Sequence, residues 1–367
     1  MPVEGRIPAA HATAGRNPAT AGRVGGGAAG GPRGPVAEGG AGAGLRAAWL
    51  LGTLLLTLGA LVGAALLAPA DGAAPGPALG GLLFLGSSVH VATTAWFYTV
   101  PEVRRHVAAH RGRYVTAPLA LVLGTALLAA AVPAGPFDLL LLAYFGWQFF
   151  HFQKQNLGLA ALARSAYGGA PLAGGERRAI TAAGLAGIAG LLSHPALLQL
   201  GDVPRVGPLF PVAAGAYALA LGYGVVQLMR RAPEDRRGCA GAVYLTSLLF
   251  FLPVFLFRSP YAAVAGMTVA HGYQYLLVVG LVAGGGGAPR AQRLVSLAVL
   301  LNLGLVLGLG LNLASHLHTG GRLDRAVYGA YLGAVMGHFV VDAGLWKLRD
   351  DFPRTFLGRR LPYLLGR

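Results

Sequence analysis

The sequence holds a single cysteine, Cys239, and only 13 acidic residues in a chain of 367. One thiol excludes an intramolecular disulfide framework and a sulfur-ligated metal site. The scarcity and scatter of carboxylates argue against a di-iron site of the carboxylate type. Charged residues make up 11% of the chain against 55% hydrophobic, and the mean hydropathy is +0.59. That leaves too little polar surface to cover one soluble globule of this size, so a lipid bilayer is the expected solvent and partner. No internal repeat and no soluble domain can be read, and every loop between apolar runs is short.

Apolar runs of roughly 20 residues recur, each long enough to cross about 30 Å of hydrocarbon. The expected fold is all-α: a polytopic transmembrane bundle of about ten spans, at roughly 46–68, 78–100, 114–132, 137–163, 179–200, 207–229, 239–257, 260–284, 294–313 and 325–346. Residues 1–44 form a Gly/Ala/Pro-rich tail carrying Arg6, Arg16, Arg23 and Arg33. Such a segment buries too little apolar surface to offset its ordering entropy, and disorder is expected there. It is also too long for the n-region of a signal peptide, so the first span is expected to stay in the mature protein. The transmembrane helical domain is placed at 45–350 and a basic cytoplasmic segment at 351–367.

The net charge of +16 raises nucleic acid as a partner, but the arginines sit in the tail and the short loops, a pattern of membrane topology instead. One side of the bundle receives the tail and the loops with Arg104, Arg105, Arg111 and Arg113; Arg177 and Arg178; Arg230, Arg231, Arg236 and Arg237; Arg290 and Arg293; and the end with Lys347, Arg349, Arg354, Arg359 and Arg360. The other receives loops with Asp71, Asp138, Asp202 and Arg205, Arg258, and a mildly basic last loop with His316, His318, Arg322, Asp324 and Arg325. The positive-inside rule then puts both termini in the cytoplasm of a cell-membrane protein.

Five histidines fall inside spans, where ionisable side chains are costly and mark function by default: His90, His151, His194, His271 and His338. His90, His151, His271 and His338 lie on spans of one direction and at one depth, roughly 20 Å below the outer edge at 1.5 Å per residue. His194, beside Pro195 and nearer the outer surface, reads as structural. Each of the four has a polar neighbour a turn further on: Thr93 and Thr94, Gln155, Gln274 and Tyr275, and Asp342. A metal-bound imidazole usually donates its second N–H to such a group, although an i,i+4 partner equally satisfies a buried histidine that binds nothing.

The leading expectation is a shared metal site of His90, His151, His271 and His338, with Thr93, Thr94, Gln148, Gln155, Gln274, Tyr275 and Asp342 around it. Imidazole with one or two oxygens suits iron, zinc or copper. Bis-histidine haem, a proton or solute pathway through the same midplane residues, and hydrogen-bonded core histidines are the alternatives. The stretch from Trp147 to Asn156 carries Gln148, His151, Gln153, Lys154 and Gln155 in an aromatic setting, which a purely structural span would not hold cheaply. Trp346, Lys347 and Arg349 read as an interfacial anchor. His106 and His110 share i,i+4 spacing like the first histidine box of membrane desaturases, but in a basic loop and without further boxes. His316 and His318 form a loop pair with no third ligand.

One histidine on each of several spans, with the late turn from His338 to Asp342, resembles the Brp/Blh family of membrane β-carotene dioxygenases. The resemblance covers only the neighbourhoods of His90, His151, His271 and His338. In that family the histidines are paired repeatedly with aspartates and often preceded by proline; here only His338 has an aspartate. The resemblance implies a four-histidine non-haem iron centre open to a lipophilic substrate and O2, hence a membrane oxidoreductase with no catalytic side chain yet named. The strings HFQKQNLG, AHGYQYL and GHFVVDAGLWKLR also look similar to uncharacterised bacterial integral membrane proteins.

Overall fold

The computed structural model describes residues 40–70, 73–167, 169–200, 203–236 and 238–365. The tail up to residue 39, Asp71, Asp202 and Arg237 lie outside the described residues. Those described are helical, with no strand among them. The helices are α1 (Gly40–Leu66), α2 (Pro77–Thr99), α3 (Pro101–Ala109), α4 (Gly112–Ala131), α5 (Ala134–Ala166), α6 (Gly174–Leu192), α7 (Leu209–Met229), α8 (Cys239–Leu249), α9 (Tyr261–Gly284), α10 (Arg290–Ser315), α11 (Arg322–Leu345) and α12 (Asp351–Arg360). Residues 40–44, assigned above to the tail, are the first turn of α1. The basic C-terminal segment folds as α12 and a short helix, Pro362–Leu365, and buries Phe356, Leu357, Leu361 and Leu364 against the bundle.

Seven of these, α1, α2, α4, α7, α9, α10 and α11, are long and apolar enough to cross a membrane. Large apolar side chains such as Leu55, Leu127, Leu219 and Val306 are more than half exposed. In water such a surface is a liability; against lipid it is the expected one. The other three expected spans differ for identifiable reasons. On α5, polar side chains face protein: Gln153 donates to the Ile180 carbonyl on α6, and Gln155 donates to the His271 carbonyl at 2.9 Å. The first turn of α6 carries Glu176, whose carboxylate accepts from the Ala173 N–H at 2.8 Å and caps the helix start. α6 also stops at Leu192 and gives way to a 3₁₀ turn, Pro195–Leu198, instead of running to 200. α8 breaks at Phe250 and Phe251 before a five-residue helix, Leu252–Leu256. Pro253 supplies no N–H and disfavours helical geometry in the residue before it.

Small residues set the packing. Gly329, Gly333 and Gly337 of α11 face Thr125, Val122 and Pro118 of α4, and Gly304 and Gly308 of α10 face Val89 of α2. Such spacing lets backbones approach closely where lipid supplies no hydrophobic drive between helices. α9 is the most enclosed of the seven apolar helices, held between α1, α2 and α10. At one end of α5, α6 and α7, Glu176 is fully buried between Arg231, 2.5 Å away, and Arg164, 3.6 Å away.

Candidate metal centre

His90 on α2, His151 on α5, His271 on α9 and His338 on α11 meet in one circuit. Their ring centroids are 5.1 Å apart for His90–His271, 5.0 Å for His271–His151, 5.4 Å for His151–His338 and 5.2 Å for His338–His90. His90, His271 and His338 are almost fully buried, and His151 is 12% exposed toward a cavity.

Local backbone irregularity aims two of the rings. A π-helical turn, Phe84–Val89, immediately precedes His90, and another, Tyr261–Ala265, opens α9 upstream of His271. Such bulges rotate the following side chains relative to a regular helix and recur at functional sites. Gly86 and Gly272 touch where α2 crosses α9: a Cβ on Gly272 would strike the Gly86 carbonyl, and one on Gly86 would strike Val269. Phe152 stacks on His271 at 3.9 Å and Phe339 on His151 at 4.3 Å, closing two sides of the circuit.

Six imidazole nitrogens here are buried and have no hydrogen-bond partner: both of His90, both of His271, and Nε2 of His151 and of His338. The Gly86 and Ser87 carbonyls lie near the His90 ring but outside hydrogen-bond geometry to either nitrogen. Buried polar atoms are normally satisfied, and each of the four rings has at least one buried nitrogen without a partner; a single ion takes one nitrogen from each ring, four of the six. His90, His271 and His338 each offer a nitrogen, all within 4.8 Å of one another, and His151, His338 and Asp342 form a second such group sharing His338. Nitrogens bound at about 2.1 Å to one ion lie at most about 4.2 Å apart, so closure asks for shifts of under an ångström.

Asp342 is the one carboxylate of the circuit, with Oδ2 at 3.5 Å from Nε2 of His338 and 4.0 Å from Nε2 of His151. The Tyr275 hydroxyl donates to its Oδ1 at 3.0 Å. Thr94 Oγ1 stands 3.1 Å from the Tyr275 oxygen and 2.6 Å from Nδ1 of His338. With the tyrosine proton on Asp342, every contact is satisfied only if Thr94 donates to Tyr275 and His338 Nδ1–H donates to Thr94. That order fixes the His338 tautomer and leaves the Nε2 lone pair free for a ligand.

The expected partners are therefore used across helices. Thr94 serves His338 and not His90, while Thr93 bonds only the His90 carbonyl, at 2.6 Å. Gln155 reaches the His271 carbonyl and Gln274, each at 2.9 Å, and Gln274 donates to Thr57 at 2.8 Å; neither touches an imidazole ring. Gln148 is half-buried and makes no hydrogen bond among the described residues. His194 ends α6 edge-on to Phe210. His106 stacks on Phe352 at 4.0 Å outside the circuit, on the short helix α3 and not in the loop expected from the sequence. Phe152, Phe339 and Thr57 were not anticipated; the aromatic density around His151 was the only signal for the first.

Comparison with protein-family models, curated proteins and solved structures finds no match. Function rests on the geometry itself. A cavity of ≈ 550 Å³ adjoins the circuit, lined by His151, Asp342 and Tyr275 at one end and by Lys347 and Arg349 at the other.

Proposed function

We propose that the chain is a multi-pass membrane oxidoreductase in which His90, His151, His271 and His338 hold one transition-metal ion, iron first, and oxidise a lipophilic substrate with O2. The observation that carries this reading is the convergence of four rings, each with at least one buried nitrogen that lacks a hydrogen-bond partner. Histidine nitrogens with a single carboxylate, Asp342, suit iron, with zinc and copper next. The Brp/Blh-like plan enters here as part of the proposal, as do ten crossings with both termini cytoplasmic, supported by the alternation of arginine-rich loops.

A redox-active ion held there supplies O2 binding and one-electron chemistry. The chain's own residues set its surroundings. Phe152 and Phe339 exclude water from two sides. Thr94 and Tyr275 hold His338 in one tautomer and connect it to Asp342, a path along which a proton can move between named atoms. The rings pack edge to face at 5.0–5.4 Å, which leaves no slot for a flat macrocycle between adjacent pairs and places haem behind a bare ion. The same proton path favours, as a second reading, a proton-conducting protein built on these side chains.

Metal analysis and an absorption spectrum of detergent-purified protein test the proposal. One equivalent of iron or another transition metal without a Soret band is expected. The double variant His90→Ala/His338→Ala should lose it; retention there overturns the shared site. A metal-free wild type whose proteoliposome proton flux depends on His271 supports the second reading.

A further inference from the structure

The cavity beside the histidines has a shape and a polarity of its own. On α5 its lining residues are Trp147, Phe150, His151, Lys154, Gln155, Gly158, Leu159 and Leu162, one continuous face of a helix at i, i+3, i+4 and i+7 spacing. From Trp147 to Leu162 that face rises about 22 Å. This exceeds half of the roughly 30 Å hydrocarbon core, the depth a single acyl chain spans. On α11 the lining begins at Phe339, next to His338, and ends past the helix at Arg349. Val278, Leu357, Leu361 and Leu365 make the remaining wall apolar. The channel is long, apolar along its sides, and within the ~300–1,000 Å³ range of ligand sites.

Its two ends differ in polarity. Asp342 stands at the deep end against His151 and His338. The other end carries Lys347 and Arg349, with Lys154 partway along. Lys347 pairs with Asp350 at 2.8 Å, while among the described residues Lys154 and Arg349 have no carboxylate within ion-pair distance. Lys154 rests over the Phe150 ring at 5.2 Å. At the deep end, Trp147 and Phe150 are each 38% exposed and Ala343 is exposed on the facing helix, so the channel has an apolar flank open to the lipid side there.

We infer that this channel binds an amphipathic anion: a single long apolar chain with one carboxylate or phosphate head, the head at Lys347 and Arg349 and the chain directed at His151. The inference rests on the proposed function for calling that ligand the substrate. The rim cations attract the head, and the deep end is walled by Phe150 and Phe339, so one orientation is selected. From His338 to the end of α11 at Leu345 the rise is about 10 Å, and Lys347 and Arg349 lie beyond that end. The part of the ligand presented to the histidines is therefore far along the chain from its head.

Binding to full-length protein in phosphatidylcholine nanodiscs, stripped of metal by chelation, tests this independently of the metal reading, because the readout needs no ion. The probes are palmitate, hexadecyl phosphate, the uncharged hexadecanol, and inorganic phosphate. Palmitate or hexadecyl phosphate is expected to bind at least tenfold more tightly than hexadecanol, and the ranking of the two names the head. Lys347→Gln/Arg349→Gln should abolish that preference while changing hexadecanol binding less than twofold. Gly158→Phe, whose new side chain meets nothing within 4 Å on the backbone side and projects where the channel runs, should remove both. Equal binding of charged and uncharged probes, a preference that survives the double substitution, or full competition by inorganic phosphate overturns the inference. A wild type without bound metal before chelation, with the charged-probe preference intact, overturns the proposed function and leaves this site standing.

Discussion

The carbonyl of Gly86 occupies the place where any side chain on Gly272 would begin. The contact joins α2 to α9 one turn from His90 and beside His271, whose rings are 5.1 Å apart. Gly272→Ala should force the two backbones apart, costing about 1–3 kcal/mol as overpacking, and should lower bound metal because His90 and His271 separate with their helices. Gly280→Ala, on the same helix with nothing within 4 Å of the added Cβ, should leave metal content unchanged and raise stability by about 0.5–1 kcal/mol. Metal analysis and thermal melts of both variants check the pair; equal metal content in the two would refute the role given to the contact.

Tyr275→Phe removes the only hydroxyl between Asp342 and Thr94. All four imidazoles stay in place, yet the His338 tautomer loses its support. Loss of such an outer partner typically weakens metal binding about 10–100-fold, and a chelator competition titration should place Tyr275→Phe in that range. Thr94→Val should behave alike, since it breaks the same chain at its other joint, and the double variant should be no worse than the more damaging single one. Additive losses would mean that the two hydroxyls do not act as one relay.

That the four histidines share one level of the bundle was legible because ionisable residues are conspicuous in apolar runs and helical rise converts counting into height. The lateral assignments were not. Thr94 follows His90 by a turn yet serves His338, and Gln155 follows His151 yet binds the His271 carbonyl. A single helix's periodicity states which residues share a face, while the identity of the facing helix is decided by contacts such as Gly86 with Gly272. The same limit applies to α5 and α6: their polar residues weakened the membrane signal, and of these Gln153 and Gln155 bond to neighbouring helices while Lys154, Arg177 and Arg178 are exposed. The kink at Phe250 and Phe251 was signalled by Pro253, and the apolar composition around it masked the signal.

Glu176 lies between two guanidiniums, Arg164 and Arg231, and it also caps α6 through the Ala173 N–H. Replacing it with glutamine keeps the volume and takes the carboxylate charge away from buried Arg164 and half-buried Arg231. Breaking a buried pair in this way costs on the order of 3–5 kcal/mol, so Glu176→Gln should lower the apparent melting temperature in detergent by many degrees. Bound metal per folded protein should be unchanged, because the cluster sits at the ends of α5, α6 and α7 and not at the histidines. An unshifted melt would show that water satisfies the arginines there.

His106 lies outside the spanning helices, stacked on Phe352. Burial holds its imidazole below the ordinary value of 6.5, the nearby His110 and Arg113 push the same way, and Asp350 opposes them. A histidine whose folded value is depressed takes up its proton more readily when unfolded. Its contribution is therefore complete above about pH 6.5 and is lost as the pH falls through that value toward the folded one. The ring is substantially exposed, which makes the effect small. His106→Phe keeps the stacking on Phe352 and removes the titration, so the melting temperature of the wild type should fall more than that of the variant between pH 7.5 and about pH 5.5. Parallel curves for the two proteins over that window would assign acid sensitivity to other histidines and leave His106 as a packing residue alone.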